Sequence, residues 1–186
     1  MFSTPLFFHE DTGAPFAHCS LCERSLQQEA EGLVPYQVVK HFRKYPWEEK
    51  HTCDLEAAIC LHCAQEQQTR MSGASLATLR QFMEKMNLES RVASFQDQEA
   101  GIADFLSTCA LHQTPCEDEL SFQWEAMMVG DQVVTMGGLP LALGEKALEA
   151  IYEALSPETK EVLDDLQGSL FSGPPEFRDL FKPVWV

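Results

Sequence analysis

At 186 residues the chain is long enough to bury about 70% of its unfolded surface in one large core or two small ones, and 45% hydrophobic with 23% charged residues is a globular composition. A formal charge of −16, from 13 Lys and Arg against 29 Asp and Glu, opposes binding to a phosphate backbone. No run approaches the roughly 18 apolar residues of a membrane span, and the first residues carry neither a basic region nor a long apolar one, so no secretory signal is expected. Seven cysteines without such a signal point to a reducing, cytoplasmic setting, where a disulfide framework is not expected.

Phe7, Phe8 and Phe16 open the chain with apolar surface that needs a cover. Then comes the first of two Cys-x-x-Cys pairs, Cys19 and Cys22, in a knuckle-like turn where Glu23 occupies the position often taken by glycine. Residues 33–42, rich in β-branched and aromatic side chains, read as a strand, and a second extended piece falls around His51 to Leu55. The second pair, Cys60 and Cys63, runs into a polar, helix-favouring stretch, which sets its sulfurs at a helix N-terminus whose dipole favours thiolate. Each pair is a fork that aims two sulfurs at one point, and two forks make the donor set of a closed tetrahedral Zn²⁺ site.

Knuckle, strands and a helix carrying the second pair resemble the treble-clef or zinc-ribbon class of metal modules, over about residues 19–72, with Cys19, Cys22, Cys60 and Cys63 at the matching positions. The 37 residues between Cys22 and Cys60 exceed the about 15 to 20 of the commonest double-pair motifs. An insertion in the central hairpin accounts for them, because loop-closure entropy grows only logarithmically and adds less than about 1 kcal/mol. Two other readings stand beside the metal: inert buried thiols, and a redox dithiol at Cys60 and Cys63, which precede a helix. Cys53, His18, His51 and His62 are nearby substitute ligands, though none displaces the four cysteines on spacing.

Lys40, His41, Arg43, Lys44, Lys50 and His51 cluster in the hairpin with Phe42, Tyr45 and Trp47 interleaved, the one place where a nucleic-acid or acidic-partner contact could be sought. Glu48 and Glu49 in the same stretch favour a solvated hairpin with its aromatics packed on the core.

Acidity concentrates downstream: residues 71–186 hold 7 Lys and Arg against 19 Asp and Glu, residues 1–70 hold 6 against 10. Ser75 is the expected N-cap of an amphipathic helix with Leu76, Leu79, Phe82, Met83 and Met86 on its core face. Val92 with Phe95, then Ile102, Phe105 and Leu106, suggest short helices. A hairpin follows near 121–136, with Phe122, Trp124, Ala126 and Met128 alternating and Gly130-Asp131 as its turn. After Gly137-Gly138-Leu139-Pro140, a helix from about Glu145 buries Ala147, Leu148, Ile151 and Leu155. Ser156-Pro157 starts a last helix with Val162, Leu163, Leu166 and Leu170 inward. The tail from Glu176 is apolar, and docking on its own domain or on another chain would cover it. Nothing repeats at a fixed period, which argues against a solenoid.

Cys109, His112 and Cys116 offer three ligands to a second, open metal site, with Glu117, Asp118 and Glu119 beside it, or else form a plain helix–strand connection. No helical zinc-protease, nucleophile-elbow, phosphate-loop or dinucleotide motif is present. The expected protein is α+β: an N-terminal zinc module over 1–72, followed by a mainly helical acidic part over 73–186 that holds the hairpin and the apolar tail, separate from the module or sharing one core with it. The expected function is a non-enzymatic interaction or adaptor protein with a structural Zn²⁺. Its expected partner is a protein or a second copy of the chain, with no membrane and no nucleic acid. The alternatives are a metal-dependent hydrolase near Cys109, His112 and Cys116, and a thiol redox or sensor protein using Cys60 and Cys63.

Overall fold

A computed structural model describes residues 2–27, 34–88 and 101–170. Its centre is a six-stranded antiparallel sheet built from β1 (Phe2–Ser3), β2 (Pro35–Arg43), β3 (Thr52–Cys60), β4 (Ser121–Val129), β5 (Gln132–Val134) and β6 (Leu141–Gly144), with spatial order β1-β5-β4-β2-β3 and β6 also against β4. The helices are α1 (Leu61–Arg70), α2 (Gly73–Met86), α3 (Ile102–Leu106), α4 (Glu145–Glu153) and α5 (Pro157–Leu170).

After residue 72 helices predominate and hold a hairpin, as expected, but the hairpin is not a local element and a further strand, β6, joins it. β4 pairs along its whole length with β2, from Pro35 opposite Val129 to Arg43 opposite Ser121, so strands from both ends of the chain form one sheet. The boundary drawn at residue 72 falls between α1 and α2, and one cluster of buried side chains runs from Phe7 to Leu166. The two extended pieces expected in the N-terminal part form a hairpin, β2 with β3, although β3 continues to Cys60 rather than ending near Leu55. The residues Ala57, Ala58, Ile59 and Cys60 are all buried, and a strand covered on both faces loses the polar–apolar alternation that marks it in sequence.

Strand parity separates two faces. Gln37, Val39 and His41 share one with Gln123, Glu125 and Met127; Tyr36, Val38, Lys40 and Phe42 share the other with Phe122, Trp124, Ala126 and Met128. Helices α1, α2 and α5 lie on the first face, around a cavity of about 210 Å³ lined by Gln37, Ile59, Ala64, Met71, Leu79 and Leu166 among others, while the end of α3 meets the second, where the Leu106 carbonyl accepts the Trp124 indole N–H at 3.1 Å. The N-terminal segment covers the second. Phe7 is fully buried with its ring 6.3 Å from that of Trp124, and Phe16 is buried too, so these aromatics are covered within the chain. The apolar tail after Leu170 and the Val92 to Phe95 stretch lie outside the described residues.

The helix starts follow from capping chemistry. Ser72, rather than the expected Ser75, caps α2: its Oγ accepts the Ser75 N–H at 3.1 Å. Ser156 does the same for α5, accepting the Thr159 N–H at 3.4 Å, with Pro157 at the first helical position as expected. Asn87 closes α2 in the left-handed conformation (φ 49°).

The cationic cluster of the hairpin does not form a patch. Lys40 is 1% exposed, with Nζ 2.5 Å from Glu10 Oε1 and 3.5 Å from Glu56 Oε2. His41 is buried with Nδ1 2.6 Å from Asp54 Oδ1, and Arg43 Nε lies 3.4 Å from Asp54 Oδ2. Half of the expected positive surface is thus neutralised inside the protein. Replacing Lys40 with Met is expected to cost about 1 to 3 kcal/mol, since Glu10 and Glu56 then face each other without a cation. Chemical denaturation of the two proteins at neutral pH reads the loss.

Candidate metal centre

The first fork is shaped by its backbone. The Cys19 N–H donates to the Arg24 carbonyl at 2.8 Å and the Glu23 N–H returns to the Cys19 carbonyl at 2.9 Å, while His18 and Ser25 bridge across the base. Closing so tight a turn puts Glu23 at φ +57°, the left-handed region that glycine usually fills. Ser20 then joins the knuckle to β3 twice: its N–H donates to the Ala58 carbonyl at 2.8 Å and its Oγ accepts the Ala58 N–H at 3.0 Å. That clamp fixes the knuckle two residues before Cys60.

The second fork is shaped by a helix start. Cys60 ends β3 and serves as the extended N-cap of α1 (φ −65°, ψ 153°), and Cys63 lies in the first turn, so both sulfurs sit at the positive end of the helix dipole. Together the forks bring the sulfurs of Cys19, Cys22, Cys60 and Cys63 within 4.8 Å of one another. Cys22 Sγ lies 3.8 Å from Cys60 Sγ, and all four are free thiols.

These values suit a metal. Zinc–sulfur bonds of about 2.3 Å in a tetrahedron put the sulfurs about 3.8 Å apart. A disulfide would need about 2.05 Å. The Cys60 N–H also points at Cys19 Sγ, 3.4 Å away, the kind of outer-shell bond that orients a thiolate ligand. Burial raises the Cys19 thiol, but amide hydrogen bonds from Cys60, Leu21 and Cys22 outweigh it and bring the pKa down to about 7. Cys60 and Cys63 are pushed up, first by burial and then by the neighbouring sulfurs. Cys22 alone of the four is exposed.

No family model, curated protein or solved structure matches the chain. The geometry therefore carries the reading of the site.

Of the substitute ligands, His18 and His62 are exposed and outside the set, and His51 pairs its Nε2 with the Glu119 carbonyl at 2.8 Å. Cys53 belongs to a different group, with Glu10 and Glu56. There the Lys40 ammonium already supplies the cation, and burial in first place, with Glu56 and Glu10 adding to it, pushes the Cys53 thiol to about 12. Cys109, His112 and Cys116 do not converge. Among the described residues they are not one of the groups whose ligand atoms meet, because Cys109 and Cys116 point into the core while His112 is exposed. Of the two readings of this segment, a plain helix–strand connection is the one this placement fits, and the alternative of an open second metal site formed by these three residues is not supported. What sequence reasoning missed is the framework around the sulfurs, chiefly Ser20, whose role depends on a strand 38 residues away. A polar residue inside a Cys-x-x-Cys fork is a weak signal for it.

Proposed function

We propose that the chain holds one structural Zn²⁺ through Cys19, Cys22, Cys60 and Cys63 in a treble-clef-like unit, and works as a non-catalytic interaction protein in a reducing compartment. The observation that carries this reading is the convergence of four sulfurs from two forks, three of them buried. Four thiolates fill a tetrahedron and leave no open position for substrate, which favours a structural role over a catalytic one. Bound there, zinc would join the knuckle to the start of α1 by bonds much stronger than the hydrogen bonds around them.

The interaction role is supported by the acidic surface, which suits a basic protein partner, and by the loop between β2 and β3. There Trp47 is 78% exposed and stacks on the half-buried Tyr45 with ring centroids 5.3 Å apart, so that an anchored ring presents an indole to solvent. Among the described residues no helix is long and apolar enough to cross a membrane.

Elemental analysis of the protein purified without chelator, alongside a free-thiol count, tests the proposal. One zinc per chain with four protected thiols is the expected result. No metal with four reactive thiols would sink it and favour a redox role, with the exposed Cys22 as the first sulfur to react.

A further inference from the structure

Two knuckles in this chain share one hydrogen-bond pattern. In the second, the Cys109 N–H donates to the Thr114 carbonyl at 2.8 Å, the Gln113 N–H returns to the Cys109 carbonyl at 3.0 Å, and Thr108 bridges Pro115. Gln113 takes φ +58°, as Glu23 takes +57° in the first. Each knuckle then leans on a strand: Ser20 N–H on the Ala58 carbonyl of β3 at 2.8 Å, Ala110 N–H on the Ala142 carbonyl of β6 at 2.7 Å. Each strand runs straight into a helix through an extended N-cap, Cys60 at φ −65°, ψ 153° and Gly144 at φ −76°, ψ 166°.

The correspondence covers the sheet and the helices as well. Tyr36 faces Cys60 across β2 and β3, and Phe122 faces Gly144 across β4 and β6. This makes Val39 the equivalent of Glu125, and these two face each other where β2 meets β4, so an approximate two-fold axis passes between them. On either side the equivalent residues Gln37 and Gln123 donate to the two oxygens of Glu125, at 2.8 and 2.6 Å. The N-cap serines are equivalent too, and they exchange the same bond: Ser72 N–H donates to Thr159 Oγ1 at 3.0 Å, Ser156 N–H to Ser75 Oγ at 2.9 Å. Reciprocal contacts of this kind are what a two-fold relation produces.

We infer that the chain is two copies of one knuckle–hairpin–helix unit joined about this axis, and that the second copy is a metal site in which the Glu119 carboxylate has taken the metal's place. Cys109 and His112 stand where the first copy has Cys19 and Cys22, but Gly144 and Ala147 stand for Cys60 and Cys63. Glu119 is buried, and a Cβ on Gly144 would run into its carboxylate, so Glu119 fills the space that the Cys60 side chain takes in the first copy. One oxygen accepts the Lys146 N–H at the start of α4 at 3.0 Å, and the other accepts the Thr114 hydroxyl of the knuckle at 3.0 Å. The carboxylate thus ties knuckle to helix N-terminus, the connection the sulfurs and their metal make in the first copy. One knuckle is tied by metal; the other is tied by a carboxylate.

The inference rests on the zinc reading of the first site. The triple variant Glu119→Ala/Gly144→Cys/Ala147→Cys completes, with Cys109 and His112, a Cys₃His donor set. Purified from zinc-supplemented medium, it is expected to carry twice the zinc of the unaltered chain, two equivalents against one. One zinc in both proteins, with unchanged circular dichroism, overturns the inference and leaves the first site standing. No zinc in the unaltered chain overturns both. Should the variant fail to fold, amide exchange of the unaltered protein with and without chelator decides: protection at Cys19, Glu23 and Leu26 is expected to fall on chelation while that at Cys109, Gln113 and Cys116 holds. Equal loss at both knuckles overturns the inference.

Discussion

Cys60→Ser is expected to abolish metal retention and to lower stability by more than about 4 kcal/mol, a range that few single substitutions reach and loss of a metal does. Cys60 has two separable roles. Its backbone caps α1, and its N–H points at Cys19 Sγ; its side chain supplies one of the four sulfurs. Serine keeps the first role, being a better N-cap than cysteine, and removes only the second. The loss therefore reports the sulfur. Structural zinc contributes about 10 to 16 kcal/mol of apparent folding free energy in small zinc domains, and a hydroxyl in a thiolate set forfeits a large part of it. Cys109→Ser is the control, because its buried thiol joins no convergent set and its replacement should leave metal content unchanged. Thermal melts with zinc determinations on both variants make the comparison; a Cys60→Ser protein with unaltered melt and zinc content would refute the assignment.

The forks were legible because their chemistry is local. Two residues between cysteines are enough to aim both sulfurs, and a polar run after Cys63 is enough to announce α1. The strand β2 and the helices α2, α4 and α5 were legible for the same reason: periodicity, caps and breakers act within a few residues. What escaped was set by distant pairing. β6 is four residues long and wholly buried, so it has neither the length nor the alternation of a recognisable strand. The place of β4 beside β2 depends on residues 78 to 94 positions apart, and it turned a hairpin expected in a helical part into the centre of the sheet.

The cationic cluster misled for a related reason. Lys40 and His41 look like surface residues in a list of charges, yet the strand carries both inward to carboxylates that lie elsewhere in the chain, at Glu10, Glu56 and Asp54. The resemblance between the two halves was hidden by substitution at the residues that would have revealed it. Only Cys109 keeps the cysteine of the first knuckle, and Glu119, which closes the second, comes from outside the fork. Backbone hydrogen bonds and left-handed residues persist where side chains have changed, so the repeat is plain in structure and faint in sequence.

Glu125→Leu is expected to cost about 2 to 5 kcal/mol, with zinc content unchanged. The carboxylate is fully buried between β2 and the helices, and it accepts one amide from Gln37 and one from Gln123. Leucine would leave two buried amide donors facing an apolar side chain, at about 1 to 3 kcal/mol each. Glu125→Gln keeps the volume but turns one acceptor into a donor, so its cost should fall between leucine and the unaltered protein. Removing all three polar groups together, as Gln37→Leu/Gln123→Leu/Glu125→Leu, should recover much of the loss, because the penalty lies in donors left without an acceptor rather than in the absence of the bonds. Urea midpoints for the three variants and the unaltered protein test that order. If the triple variant were less stable than Glu125→Leu, the three residues would be acting through packing, and the carboxylate would lose its role as the polar joint between the two halves.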